Sequence, residues 1–478
     1  MGLADYFGFD EHDTDLRTEV VAGVTTFLAM SYIVVVNPAV MTQITQDGEV
    51  VKPGIALANY SYAETVQMLA VVTLLASAVA MLVMAFYANR PFGLAPGLGL
   101  NAFFAFTVVG ALGVPWQTAL AAVFVEGILF IALTAVGARE YVIKLFPQPV
   151  KFAVGTGIGL FLAIIGLEAM GIVVGDAGTI LALGDLAQNP VAILAVVGLF
   201  FTVALQARGV TGSIIVGIVS TTVAGAALTY AGVVDPGVLA GEFVRNGGFA
   251  ASELPKAQYD VTPLAGAFVE GFRNVEAFSF SLIVFTFFFV DFFDTAGTLV
   301  GVGQAGGFLN DDGDLPDADQ PLMADAVGTT FGAMLGTSTV TTYVESATGV
   351  EEGGRTGMVA LVVAVLFLLS LAVVPLAAAI PQYASHIALV VVALLMLANV
   401  TAVDWDDITQ SIPAGLTILV MPFTYSIAYG IAAGIISYPI VKVAAGESDD
   451  VALGQWLLAG AFVVYFYVRT SGLLAAAV

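Results

Sequence analysis

The chain has 478 residues, 59% hydrophobic and only 10% charged, with a formal net charge of −24 and no cysteine. Soluble proteins carry about 25% charged residues, so the composition excludes a soluble enzyme or binding module. The missing cysteines exclude disulfides, thiolate nucleophiles and thiolate metal sites, and the acidic balance argues against a nucleic-acid partner, which needs a basic patch.

Residues 1–19, "MGLADYFGFDEHDTDLRTE", are polar and acidic, without a basic leader, and read as a cytoplasmic N-terminal tail. Apolar segments then follow near 20–40, 64–87, 94–109, 115–138, 150–172, 190–207 and 210–233. A polar stretch, 234–275, separates them from a second series at 279–300, 322–335, 337–348, 356–375, 384–402, 407–443 and 452–470. A bilayer takes roughly 20 apolar residues per helical crossing, so the pattern predicts an all-α polytopic membrane protein with about fourteen segments, seven on each side of the polar stretch. The block 407–443, with Pro413 and Pro422, is long enough to be two helices.

The halves echo each other. "FPQPVKFAVGTGIGLFLAIIGL" from Phe146 and "IPQYASHIALVVVALLMLANV" from Ile380 both lead from Pro-Gln into an apolar helix. "FGLAPGLGLNAFF" from Phe92 and "FGAMLGTSTVTTYVES" from Phe331 both run from Phe-Gly into small residues. Two halves of an odd segment number sit in opposite orientations, and such inverted repeats mark secondary transporters. Gly, Ser, Thr and Pro make 93–106 and 336–350 poor continuous helices. Broken backbone at membrane depth must be buried in protein or line a cavity, so these two segments are expected face to face at the binding site.

Within "FTFFFVDFFDTAGTL" (285–299), Asp291 and Asp294 are three apart and share a helical face. A charge at the bilayer centre costs about 2.5–3.5 kcal/mol on insertion scales and marks substrate or ion pathways. Asp294, Glu345 in the second broken segment and Asn101 in the first are the leading candidates for binding; Asp291 is balanced between binding and structure. Glu126 and Glu168 are expected to satisfy interhelical hydrogen bonds, Asp325 to cap a short helix or bond across the core, and His386 to be an interfacial polar tip. Gly155, Gly157 and Gly159 read as small-residue helix packing. "GVGQAG" (301–306) matches a dinucleotide pattern but follows a helix rather than a strand, and "DDGDLPDADQPL" lacks calcium-loop spacing, so neither is retained.

The motifs "TFLAMSYIVVVNPAVM" (26–41), "APGLGLNAFFAF" (95–106), "DFFDTAGTL" (291–299) and "STVTTYVESATGVEEGGRTG" (338–357) resemble the AzgA-like purine permeases of the nucleobase:cation symporter 2 family, from about residue 5 to 470. The resemblance implies a core domain (20–138 and 279–375) and a gate domain (150–233 and 376–470), with 234–275 as an extracellular loop. It places the substrate between the broken third and tenth segments, against the eighth. Asp294 would take the acidic binding position of the eighth segment, with Asp291 one turn earlier. Glu345 would be the tenth segment's acid and Asn101 the third's polar contact, while Tyr343, Val344 and Ser346 would lend backbone groups. The acidic loops, unlike those of typical members, fit a salt-loving, haloarchaeal host.

The chemistry agrees. Carboxylates accept the N–H groups of a flat, neutral base in charge-assisted bonds, Asn101 both donates and accepts, and Phe103, Phe104, Phe292 and Phe293 are candidate stacking faces, though core packing is the plainer role for most. Burial favours a protonated carboxyl, so the expected function is import of purine nucleobases (hypoxanthine, guanine, adenine) by proton symport, with Asp294 or Glu345 as carrier. Sodium remains an alternative cation. No cofactor or metal is expected, and a homodimer is an open assembly. Arg17, Arg90, Arg139, Lys144, Lys151, Arg208 and Arg355 against Lys52, Arg245, Lys256 and Arg273 favour a cytoplasmic N-terminus. An anion transporter or exchanger on the same fold predicts a base near residue 294 or 345, and the nearest in sequence to Glu345 is Arg355. A passive channel predicts no saturation, and a membrane enzyme lacks its Ser-His-Asp set.

Overall fold

Apolar segments deprived of water must close their backbone hydrogen bonds internally, and this chain does so almost entirely as helices. The computed structural model describes residues 2–46, 48–137, 146–176, 178–253, 255–273, 275–310 and 315–470. Among them, 10 helices are long and apolar enough to cross a membrane, and Leu98–Ala111, Ile408–Phe423 and Leu453–Val464 are shorter apolar helices. Arg139, Lys144, Asp311, Asp312 and Asp314 lie outside the described residues.

The first half holds α1 (Leu3–Phe7), α2 (Leu16–Met30), α3 (Ile33–Met41), a β1–β2 hairpin (Ile44–Gln46 and Glu49–Lys52), α4 (Tyr62–Val83), β3 (Leu94–Pro96) and α5 (Leu98–Ala102). The last continues through wide π-helical turns to Ala111. Then come α6 (Trp116–Ala135), α7 (Gln148–Ala169), a β4–β5 hairpin (Val173–Asp176 and Ile180–Leu183), α8 (Pro190–Ala207) and α9 (Ser213–Tyr230). The polar stretch folds as a small hairpin, β6 (Val244–Arg245) with β7 (Gly248–Phe249), and single 3-10 turns. The second half holds α10 (Ala277–Gly306), α11 (Asp319–Leu335), β8 (Val340–Thr342), α12 (Ser346–Glu351), α13 (Gly357–Ser370), α14 (Val374–Ala377), α15 (Gln382–Ser385), α16 (Ile387–Met396), α17 (Ile408–Phe423), α18 (Ile427–Ala444) and α19 (Leu453–Thr470). The single apolar block 407–443 is thus two helices, parted after Pro422 where Tyr425 takes a left-handed φ of 51° and Ser426 caps α18.

Starts and stops are written locally. The Asp15 side chain accepts the Thr18 N–H at the start of α2, Ser61 and Glu64 form a reciprocal capping box on α4, and Thr356 caps α13; each cap is worth about 1 kcal/mol. Gly336, at φ 106° with Leu264 Cβ 2.7 Å from where its own Cβ would sit, ends α11 and lets the chain turn into β8.

The helices pack as two groups. In one, α2, α4 and α6 of the first half pack against α11, α12 and α13 of the second, and α10 lies on α6. In the other, α7 packs on α16 and α17, α17 on α18, and α8 on α9. Small residues set the closeness of the second group: a Cβ on Gly157 would lie 2.5 Å from Met421 Sδ, and one on Gly159 would lie 3.0 Å from Met396 Cβ. Glu168 takes the expected interhelical bond, accepting the Tyr425 hydroxyl at 2.6 Å. His386 is not an interfacial tip. It is 1% exposed, with Nδ1 2.9 Å from the Gln382 carbonyl, because the Pro381 turn folds it into the packing rather than out of it.

Beside His386 lies Lys52, at the end of β2. It is 8% exposed and donates to the carbonyls of Ala39 at 2.5 Å and Val40 at 3.0 Å, the last turn of α3. Burial pushes its ammonium down to about 7 from 10.5. The unfolded chain therefore keeps this proton at pH values where the folded chain has lost it, and stability rises with pH across the window from about 7 to 10.5. Thermal unfolding in detergent should show a melting temperature that climbs through this window in the native protein and climbs less in Lys52→Met. Parallel curves for the two would exclude Lys52 as the cause.

Candidate substrate-binding site

The two interrupted segments cross at the centre of the first helix group. β3 and β8 pair antiparallel, Leu94 with Thr342, Ala95 with Thr341 and Pro96 with Val340. Pro96 and three nearby glycines weaken helix in one segment, and β-branched Thr339–Thr342 favour extended backbone in the other. Further bonds hold the crossing. Gly93 N–H donates to Ser346 Oγ at 2.9 Å, Gly97 N–H to the Thr339 carbonyl at 3.0 Å, and the Tyr343 hydroxyl to the Pro96 carbonyl at 2.6 Å. A Cβ on Gly97 would stand 2.7 Å from Thr341 Cγ2, so glycine is what permits the approach.

Beneath the crossing, a second layer fixes β8. Asp325 of α11 accepts the Thr342 N–H at 2.9 Å, the Thr295 hydroxyl at 3.0 Å and the Thr342 hydroxyl at 3.3 Å, all on Oδ1. Thr295 of α10 shares a second bond of 2.6 Å with Thr341. Asp325 therefore bonds across the core rather than capping its own helix.

A cavity of about 400 Å³ lies between the crossing, α10 and the second helix group, within the range of small-molecule sites. Asp294 and Thr298 enter from α10, Thr341–Glu345 from β8 and its exit, and Gly97–Gly99 from the start of α5. The far wall is Lys151, Phe152 and Gly155 of α7 with Leu395, Met396 and Asn399 from the end of the α16 segment. Asp294 of α10 and Glu345 at the exit of β8 share this one hollow. Glu345 is oriented by Tyr32, whose hydroxyl donates to Oε1 at 2.6 Å. Its second oxygen and the Asp294 carboxyl offer acceptors beside apolar and aromatic walls. Val344, Leu395, Gly297 and Gly301 are exposed, so the cavity opens beside the later turns of α10 and the end of α16.

Of the residues singled out from sequence, Asp294, Tyr343, Val344 and Glu345 line the cavity. Asn101, Asp291 and Ser346 do not. Asn101 is fully buried one turn beyond Gly97, its amide 3.4 Å from the Pro96 carbonyl and its Oδ1 without a partner. Ser346 serves the crossing, as above. Asp291 is fully buried against Glu126 of α6, with which it lies within hydrogen-bonding reach. Positions three apart on a helix point roughly 60° apart, enough to send Asp294 to the cavity and Asp291 behind it. Among the proposed stacking rings, Phe293 lines the cavity, whereas Phe103, Phe104 and Phe292 are core, packed on Phe287 and Phe130.

Sequence reasoning overlooked Tyr32 and Lys151. Tyr32 had a signal, the polar Ser31–Tyr32 pair that interrupts an apolar run and separates α2 from α3. Lys151 enters the sequence reading only as a base that favours a cytoplasmic N-terminus, yet in α7 its ammonium stands 5.5 Å from the centre of the Phe293 ring. Sequence distance from Glu345 therefore missed a base that spatial packing brings to the same cavity.

The chain matches the sequence model of the Permease family (Xan_ur_permease) over residues 17–433. It is 42% identical to the putative permease MJ0326 of Methanocaldococcus jannaschii, covering 96% of this chain and 97% of that protein. It is 39% identical to the guanine/hypoxanthine permease PbuG of Bacillus subtilis, covering 97% and 99%, and 36% identical to the adenine permease AdeQ of Escherichia coli, covering 97% and 95%. Among solved structures, the transmembrane domain of the cyanobacterial bicarbonate transporter BicA superposes with a TM-score of 0.59 over 88% of this chain and 97% of its own, at 15% identity. That likeness is one of inverted-repeat fold.

Proposed function

Since the chain belongs to the Permease family, with adenine and guanine/hypoxanthine permeases among its relatives, we propose that it imports purine nucleobases, hypoxanthine, guanine and adenine, by proton symport. The observation that carries the reading is the pair of carboxyls, Asp294 and Glu345, opening from two different segments into one small, largely apolar cavity. A purine is flat and uncharged, with N–H groups along its edge. Two carboxyls grip such an edge by charge-assisted bonds, Phe152 and Phe293 supply faces for the ring, and the backbone of Tyr343 and Val344 borders it. Ser346 acts one step back, by tying the two broken segments in register, and Asn101 bonds within its own segment, to the Pro96 carbonyl.

The first helix group, with the crossing, is the core and the second is the gate. With the N-terminus cytoplasmic, α7 begins and α10 ends on the inner side, so the exposed mouth of the cavity is the inward-facing one. Alternating access then follows from movement of the gate wall, Lys151 to Asn399, relative to the carboxyls of the core.

Lys151 is the one feature that favours a second reading, an anion carrier, and two carboxyls in the same cavity oppose it. Uptake of radiolabelled bases into a transport-deficient cell separates these. Saturable hypoxanthine uptake that collapses with a protonophore supports the proposal, and uptake indifferent to the protonophore but dependent on sodium replaces the cation. Uptake of bicarbonate or sulfate in place of any purine would overturn it.

A further inference from the structure

Behind the cavity wall, three carboxyls from three helices converge: Glu126 of α6, Asp291 of α10 and Asp325 of α11. All three are fully buried. Asp325 spends one oxygen on the threonine frame described above, and its other oxygen has no partner. Glu126 and Asp291 are different. None of their four oxygens meets a donor from any other residue, although the two side chains lie within hydrogen-bonding reach of each other. The charged groups that face them are Asp325 from α11 and, from α10 itself, Asp294; no lysine, arginine or histidine is among them. Among the described residues no such cluster has the geometry to hold a metal ion.

Two fully buried carboxyls in contact, with no cationic side chain facing them, cannot both be ionised, because like charges at that range in a low dielectric are prohibitively costly. The missing donor is an O–H of one acid given to an oxygen of the other. The pair is therefore built to hold a proton. It is also wired to the site. Asp291 stands one turn from Asp294 on α10, and the bonded oxygen of Asp325 connects to the cavity lining through Thr295, whose hydroxyl shares a 2.6 Å bond with that of Thr341.

We propose that the Glu126–Asp291 pair, and not a carboxyl that touches the base, is the proton site of the transport cycle. This rests on the proton-symport reading. In the outward state a hydronium gives its proton to the ionised member of the pair and leaves as water. In the inward state the acid returns that proton to water, and the carboxylate is restored. The base is held throughout by Asp294 and Glu345, so binding and coupling are chemically separate.

Proteoliposomes with an imposed pH gradient test the separation. Glu126→Gln, and as a second variant Glu126→Met, are measured for hypoxanthine exchange across equal concentrations and for accumulation driven by the gradient. The expected result is exchange retained and gradient-driven accumulation lost, with no hypoxanthine-dependent alkalinisation outside. A variant that still accumulates hypoxanthine and still moves protons overturns the assignment while leaving symport intact. Loss of exchange together with accumulation in both variants also overturns it, since the pair would then support binding. Wild-type vesicles that move hypoxanthine without protons would instead sink the symport reading beneath it.

Discussion

Glu345→Gln should abolish purine uptake while the protein still reaches the membrane in normal amount. Glu345 stands at the junction of β8 and α12, where Oε1 accepts the Tyr32 hydroxyl at 2.6 Å and the residue lines the cavity. Glutamine keeps the shape and can keep one acceptor. It replaces the other by an amide N–H₂, and it removes the charge that strengthens the bond to a base. A hydrogen bond to a charged group contributes about 1.5–3 kcal/mol, and turning an acceptor toward the N–H edge of a purine into a donor adds repulsion. The expected loss of affinity is roughly a hundredfold or more. Uptake of radiolabelled hypoxanthine, normalised to protein in the membrane, reads the transport effect. Protection of the purified protein by hypoxanthine against thermal unfolding reads binding directly. The variant should show neither, and protection equal to wild type would remove Glu345 from the site.

Asp325→Ala should fail at an earlier stage, in the folding of the core. One oxygen of Asp325 collects three donors, from Thr342 backbone, Thr342 hydroxyl and Thr295 hydroxyl. Alanine strands a buried N–H and loosens two hydroxyls at the place where α10, α11 and β8 meet. Leaving a buried donor unsatisfied costs about 1–3 kcal/mol. The folded margin of a domain is only about 5–15 kcal/mol, so monodisperse yield in detergent and melting temperature should both fall sharply. Asp325→Asn keeps an acceptor oxygen for the Thr342 N–H and should recover most of the yield. Equal melting curves for the alanine variant and wild type would show that the crossing does not depend on this residue.

Much of this molecule is legible in its residues. Apolar length and the scarcity of charge dictate helices in a membrane, because hydrocarbon leaves the backbone no partner but itself. Glycine, proline and threonine mark where helices must break, and the β3–β8 crossing lies at those marks. Asp294 and Glu345 stand out for the same reason, as carboxyls whose desolvation requires a cavity or a partner. Other residues were harder to place. Lys151 looks like a base at the edge of an apolar segment, and only the packing of α7 against α16 brings it to the cavity. His386 looks interfacial, and only the turn at Pro381 buries it. Val344 and Ser346 are two apart in sequence, yet one lines the cavity and the other ties Gly93.

By itself, then, the sequence determined the membrane class, the paired halves, the broken segments and the acidic character of the site, because each follows from local composition and from the cost of burying polar groups. Only the tertiary structure decided which acid looks into the cavity and which looks away. Asp291 and Asp294 stand in the same aromatic run of one helix. Their difference comes from the roughly 60° between positions three apart on a helix, and from what stands opposite each: a cavity for Asp294, and Glu126 of α6 for Asp291.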